Sequence, residues 1–382
     1  MWTKAIFVLL CLAMGVVALP TAAQEETPVP LPTTKETYYR GQVTEVVSEG
    51  QEDFGLYGTK PYVQTLKVEI ATGPRQGEVI EISYGALTQE LKLASGDRVI
   101  LLSPDQSTDR LFIFDRYRLP SLVWLLLSFV VITIIFAGRR GALSLLGLAV
   151  SIIVLTFYVV PSIINGKNPL FVSFIGAVVI ATVAIYLAHG FRRRTTIALG
   201  STLITIVISL GLSVAFVSLV KLLGMGSEEA YYLQTAPIQG LNLRGLLLGG
   251  IIIGALGVLD DITTAQAAVI EELWLVNPEL SRRELVQRGL SVGREHITSL
   301  VNTLVLAYTG ASLPALLLFT IYERPVWVVA NTELIAEELV RTLVGSISLM
   351  CAVPITTVLA AYFVTRQKSA PTIAQSPPIH SH

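Results

Sequence analysis

Residues 250–272 read GIIIGALGVLDDITTAQAAVIEE. Two adjacent aspartates, Asp260 and Asp261, stand where a membrane-crossing helix is ordinarily apolar. Gly250, Gly254, Gly257, Asp261, Thr264 and Ala268 recur at alternating steps of four and three, the spacing that puts residues on one helical face. Small residues along one face let a neighbouring helix approach closely in lipid. Gly250, Gly254 and Gly257 are therefore read as a helix-packing surface, with Asp261 directed into a helix contact or a cavity. An ionisable side chain at mid-membrane costs roughly 3 kcal/mol or more, so its presence asks for a function.

Working outward, the composition agrees with a membrane setting. Of 382 residues, 52% are hydrophobic and 14% charged, against about 25% charged in soluble domains. A net charge of -1, with no basic patch or aromatic platform, argues against nucleic acid as a partner. Cys11 and Cys351 are the two cysteines, too few for a disulfide framework or a zinc spacing. No metal site and no cofactor are expected.

At the N-terminus, Lys4, the apolar run 5–18 and the small residues of 20–23 form a secretory signal, residues 1–23, with an uncleaved signal anchor as the alternative. Residues 24–36 are rich in Pro, Thr and Glu and read as a flexible linker. Across 37–118 the pattern becomes short alternating runs between turn residues. It predicts strands over 40–47, 63–70, 78–84, 98–102 and 111–115, with Leu66, Val68 and Ile70 on one face and Ile80, Ile82 and Tyr84 on another. Five strands of this length suit a small extracytoplasmic β-barrel-like domain of OB or SH3-like size. No catalytic constellation appears in it.

Residues 119–366 read as a polytopic helical bundle, with spans over 120–137, 142–162, 169–189, 196–223, 243–266, 297–320 and 336–365; 367–382 is a polar tail. Arg139–Arg140, Arg192–Arg194, the group from Arg282 to Arg294, and Arg366 with Lys368 fall in alternate connections. The positive-inside rule then places the β domain outside and the C-terminus in the cytoplasm. The aspartates fall in the inner half of their span, about 25 Å from Arg244 at 1.5 Å per residue. Ser281 and Glu284 have capping-box spacing and open a basic helix. The following span brings Glu295, Ser299 and Asn302 to one face at the depth of the aspartates. Like charges in contact cannot both ionise cheaply, so Asp260, Asp261, Thr264 and Asn302 are read as a proton or ion relay. In the last span Glu333, Glu337 and Arg341 are spaced four apart, giving an ion pair along one face or an outer gate.

The stretches GALGVLDDITTAQAA at 254–268, GREHITSLVNTLVLAYTG at 293–310 and EELVRTLVGS from 337 with AVPITT ending at 357 resemble the YibE/F family of bacterial membrane proteins, over essentially the whole chain. The resemblance implies a multi-pass protein of the bacterial cytoplasmic membrane with an external N-terminal domain. More locally, 250–320 is similar to one hairpin of resistance–nodulation–division transporters and of SecDF, in which buried aspartates relay protons. This chain departs from that pattern: it lacks a duplicated half, and no lysine stands at the depth of the aspartates.

The reading is a proton- or cation-coupled transporter or translocation-associated permease, not an enzyme. Its partners are the lipid bilayer, H+ or Na+, and a second copy or another membrane protein. The alternative is a non-transporting assembly factor or sensor whose external β domain binds a partner.

Overall fold

A computed structural model describes residues 36–51, 62–86, 91–104, 110–235 and 240–366, without the side chain of Val301. The expected signal 1–23, all but the last residue of the linker 24–36, and the tail 367–382 lie outside the described residues. Contacts divide the chain into two compact units between Ile132 and Thr133.

The first unit holds five antiparallel strands: β1 (Thr37–Gln51), β2 (Tyr62–Ile70), β3 (Val79–Ala86), β4 (Arg98–Ser103) and β5 (Phe112–Arg116). Their order is β3-β2-β1-β4-β5. β1 serves two partners: its first half pairs with β4 and its second with β2, with register shifts at Val43/Glu45 and Val46/Ser48. Such irregularities bend a strand and increase its twist, which here curls the sheet into a half-barrel with β3 near β5. Leu66, Val68, Ile70, Val99 and Leu101, each no more than 1% exposed, form its core. Gly41 lies where a Cβ would meet Val68 Cγ1 at 2.8 Å and Leu101 Cδ1 at 2.9 Å, so the sheet closes over a residue without a side chain. The buried amide side chain of Gln64 donates to the Leu93 carbonyl (3.1 Å) and accepts from the Leu93 N–H (2.8 Å), pairing with Leu93 as a strand backbone would.

The second unit is helical. Among the described residues five helices are long and apolar enough to cross a membrane, six when one bent pair is taken as a single span. The first, α1 (Leu119–Val154), begins among the residues of the first unit and runs through a π-turn into α2 (Val160–Ile164). It is not straight: Gly138 has φ 56° and ψ −139°, a conformation that suits a residue without Cβ. A Cβ on Gly141 would lie 2.6 Å from the Thr133 carbonyl, which a straight helix would hold about 12 Å away at 1.5 Å per residue. The chain therefore doubles back at Gly138. The expected spans 120–137 and 142–162 fall on either side of that point.

The remaining helices are α3 (Pro169–His189), α4 (Arg193–Leu219), α5 (Glu228–Thr235), α6 (Leu243–Val276), α7 (Arg282–Ala311), α8 (Leu313–Ile321), α9 (Val326–Ala330) and α10 (Glu333–Thr365). α6 lies at the centre, against α3, α4, α7 and α10. Its tight contacts are at Gly245, where a Cβ would lie 3.4 Å from Pro169 Cδ, and Gly249, where one would lie 2.8 Å from Ser173 Cβ. The unit's interior carries hydroxyls: Ser201, Thr202, Thr205, Ser209 and Ser213 of α4 are all 0% exposed. Most bond a carbonyl one turn back, as Ser201 does to Ile197 (2.9 Å) and Thr205 to Ser201 (2.8 Å). A hydroxyl satisfied within its own helix costs little to bury. Many of its exposed side chains are Leu, Phe, Ile and Val.

The expected span 297–320 is not one straight helix. α7 and α8 meet at a 60° bend; Pro314, in the first turn of α8, lacks the N–H that would continue α7. The basic connections gather at one end of this unit. Arg194 pairs with Glu271 (2.9 Å), Arg193 lies over the Phe363 ring (6.0 Å), and Arg282 lies over Tyr362 (4.7 Å). The expected capping box forms: Ser281 Oγ accepts from the Glu284 N–H (3.3 Å), and Glu284 Oε2 accepts from the Ser281 N–H (2.8 Å).

Candidate functional site

Two connections bring charge to the C-terminal half of α6. The reversal at Gly138 places Arg140. The α3–α4 turn rests on Gly190, whose φ of 74° ends α3 directly after His189. Tyr186 fixes this turn, stacking on Phe191 at 4.5 Å and sharing a hydrogen bond with Thr196 (3.0 Å). Two contacts then hold α4 antiparallel along α6: the Thr202–Thr263 hydroxyl pair (2.7 Å) and the Arg194–Glu271 ion pair.

Asp261 lies on the walls of two cavities. One, of about 320 Å³, is lined by Arg140, His189, Arg194, Thr195 and Thr264 beside Asp261. The other, of about 380 Å³, has Gly257, His296, Leu300, Thr303 and Leu304 around the same carboxylate. Asp261 thus has a histidine across each cavity. His189 lies within electrostatic reach of Arg194, Asp261 and Arg140.

The aspartates do not form a buried pair. Asp261 is exposed in its groove, whereas Asp260 is half-buried with Oδ1 enclosed and without a hydrogen-bond partner among the described residues. One residue along a helix is about 100° of rotation, so adjacent side chains leave in different directions. Thr264 lines the first cavity, but its hydroxyl donates to the backbone carbonyls of Asp260 (3.0 Å) and Asp261 (3.1 Å) rather than to a carboxylate.

Asn302 joins neither cavity and is exposed, as are Glu295 and Ser299. The physical reason is the phase of α7. Gly289 would set a Cβ 3.0 Å from Thr357 Cγ2, and Gly293 one 3.2 Å from Gln266 Oε1, so these glycines turn inward. Asn302, nine residues after Gly293, is then rotated by ~180° at about 100° per residue. His296, Leu300, Thr303 and Leu304 face α6 instead.

The face of Gly250, Gly254 and Gly257 likewise makes no close packing among the described residues. A Cβ at Gly250 or Gly257 would have nothing within 4 Å, and one at Gly254 would meet only the Tyr308 hydroxyl at 3.6 Å. Close packing falls on Gly245 and Gly249, which lie on another side of the same helix. Gln266 is a residue that periodicity does not single out. At 1% exposed, it donates to the Gly289 carbonyl (2.9 Å) and to Thr357 Oγ1 (2.8 Å), joining α6, α7 and α10. The visible signal was an amide in the otherwise apolar run that follows Thr264.

At the other end of α10, Glu333 accepts from the N–H groups of Leu223 (2.7 Å) and Met225 (3.2 Å), and buried Glu337 accepts from Gly226 (2.9 Å). The expected Glu337–Arg341 pair is replaced: Arg341 lies 3.6 Å from Glu338. Backbone amides of a tight loop satisfy the two carboxylates, because Lys221 and Gly224, both at positive φ, turn those amides toward α10.

The helical unit is also what the comparisons identify. The model of the YibE/F-like protein family matches residues 125–366, which is the helical part rather than essentially the whole chain. The chain belongs to that family and is a membrane protein. No curated protein and no solved structure matches it.

Proposed function

We propose that this YibE/F-like protein is a proton- or cation-coupled transporter of the bacterial cytoplasmic membrane, with Asp261 as the group that carries the coupling ion. The observation that carries the reading is the position of one carboxylate on the walls of two cavities, with His189 across one and His296 across the other. A carboxylate that borders two hollows, one toward α4 and one toward α7, is suited to passing an ion between them. Moving one charge through the membrane field is worth about 2.3 kcal/mol per 100 mV, enough to bias a bundle with two arrangements. Asp260, with an enclosed and unpartnered oxygen, is the second proton-holding group. Thr264 stiffens the backbone between them. Glu333 and Glu337 hold the 223–226 loop, so opening at that end means releasing three amide hydrogen bonds. The gathering of basic connections at one end of the unit supports the orientation with that end in the cytoplasm.

The test is potential-driven proton flux into proteoliposomes carrying the full-length protein. Asp261→Asn is expected to abolish flux while leaving membrane insertion unchanged; flux retained in that variant sinks the reading.

A second reading, an assembly factor or sensor, is favoured by the half-barrel surface. Tyr38 and Phe114 meet edge to face at 5.5 Å, yet stay 49% and 60% exposed beside Phe112 at 50%. Such an aromatic patch suits a protein partner. On that reading, deleting 37–118 destroys function and Asp261→Asn is tolerated.

A further inference from the structure

The two cavities that share Asp261 differ in chemistry. The one toward α7 is mostly aliphatic, with Leu300, Leu304, Val258 and Ile262. The one toward α4 gathers two guanidinium groups, an imidazole and a helix N-terminus. α4 is 27 residues long, opens at Arg193, and its N-cap residue Arg192 makes no side-chain cap. The first-turn amides therefore present an uncapped positive end of the helix dipole, the arrangement that binds phosphate groups and other anions.

A second observation is independent of the helix end. Thr195, in that first turn, is 2% exposed and lines the cavity, and its Oγ1 is buried with no hydrogen-bond partner among the described residues. A buried hydroxyl without a partner is costly, and its neighbour Thr196 shows that a hydroxyl here does find one, bonding Tyr186. Charge points the same way. Arg194 is shared with Glu271, but Arg140 has no ion-pair partner among the described residues. Facing groups on the elements around the cavity are Arg140, His189, Arg194 and Asp261, three of them basic or able to become cationic.

We propose that this cavity is a binding site for a phosphate-type oxyanion, held by Arg140 and Arg194, the first-turn amides of α4 and the Thr195 hydroxyl. Guanidinium groups match such oxygens in pairs, and about 320 Å³ holds a phosphate with several waters or a small organic phosphate. Asp261 is on the wall, and its negative charge opposes the anion. Neutralising Asp261 by a proton removes that repulsion, so anion and proton enter favourably together. This last step rests on the transport reading above; the binding site itself does not.

The experiment uses full-length protein in nanodiscs. In zwitterionic nanodiscs, inorganic phosphate is titrated by calorimetry. In a second arm, phosphatidylglycerol is included and its retention is followed by native mass spectrometry. Saturable phosphate binding is expected, weakened ~10-fold by Arg140→Gln through loss of a charge-assisted contact. Thr195→Val, which keeps the side-chain shape, is expected to weaken it ~3-fold through loss of one neutral hydrogen bond. Asp261→Asn is expected to strengthen it ~3-fold by removing a nearby like charge. Phosphate binding undisturbed by the lipid names a free phosphate compound as the ligand. Phosphatidylglycerol retained in the wild type, displacing phosphate and lost in Arg140→Gln, names a lipid headgroup. Binding in neither arm, or binding indifferent to Arg140→Gln and Thr195→Val, overturns the proposal. Proton flux without phosphate or lipid binding removes the anion site and leaves Asp261 as the coupling group. Phosphate binding without flux removes the transport reading and leaves the site.

Discussion

The half-barrel and the helical unit both bury aliphatic side chains, but they differ in what they bury beside them. In the half-barrel the fully enclosed side chains are Val, Leu and Ile, with Gln64 the large polar exception. In the helical unit the 0% exposed set includes Ser201, Thr202, Thr205, Ser209, Ser213, Thr263, Ser348, Thr356 and Thr357, while Phe136, Leu219 and Trp327 are more than 70% exposed. Water sorts a strand by polarity, because apolar area gains by leaving it. Lipid is as apolar as leucine, so a membrane helix is sorted by size and by whether its polar groups are satisfied internally. In such a helix a small residue marks a candidate interior face without saying which face the neighbours take.

The largest expected effect tests that sorting on glycine. Gly293→Leu would drive its side chain into Val353 and Gln266, and overpacking of this kind is expected to cost about 3 kcal/mol or prevent folding. Gly250→Leu, on the open face, is expected to change stability by less than about 0.5 kcal/mol. Thermal unfolding of the detergent-purified chain compares the two. Equal damage from both would mean that the Gly250 face is covered by a second copy or another membrane protein, and the comparison would then be between two packed faces.

A smaller effect separates two buried glutamines. Gln64 joins segments of the half-barrel through the Leu93 backbone, and Gln266 joins three helices through Gly289 and Thr357. Gln64→Leu leaves a buried N–H and C=O without partners, for a loss of about 1–3 kcal/mol. Gln266→Leu removes bonds that average about 0.6 kcal/mol each in membrane bundles, so about 1 kcal/mol is expected. Hydrogen exchange at the Leu93 amide and at the α6–α7 contact reads each locally. A larger loss at Gln266 would break the contrast, showing that the bundle depends on its polar joints more than the barrel does.

The same contrast explains what could be read before the fold was known. The strand pattern of 40–47 through 111–115 corresponds to the five observed strands, since period two and burial coincide in water. The capping box at Ser281 and Glu284 was legible because it depends on two residues three apart. Asp261 was visible because a charge among apolar residues is conspicuous. Its surroundings were not: Arg140, His189 and Arg194 come from turns at Gly138 and Gly190, remote in sequence, and no periodicity links a turn to a helix face. A polar face and a matched depth link Asn302 to the aspartates, but neither fixes the rotation of α7 relative to α6, which Gly289 and Gly293 set. Glu337 and Arg341 have pairing distance along a helix, but a backbone N–H presented by the loop at Gly226 is a competitor that spacing cannot reveal.

The smallest predicted effect belongs to the half-barrel surface and depends on pH. Lys92 donates to Glu49 at 2.7 Å, next to the Gln64–Leu93 joint. That hydrogen bond first, and the lysine charge second, hold the Glu49 carboxyl below the usual glutamate range. A carboxyl whose folded value is depressed contributes its stability above the unfolded value, and loses it as pH falls through the folded one. Protection of the Leu93 amide should therefore be flat from neutral pH down to about 5 and decline below about 4, near the unperturbed glutamate value. Added salt should shrink the effect, because the pair is solvent-exposed and screened. Glu49→Gln should flatten the acid limb of the exchange profile at Leu93 while leaving exchange in α6 unchanged. An acid limb identical to that of the parent chain would assign the acid sensitivity to other carboxylates of the sheet, of which Glu78 with Arg75 and Asp115 with Arg118 are the next pairs to remove.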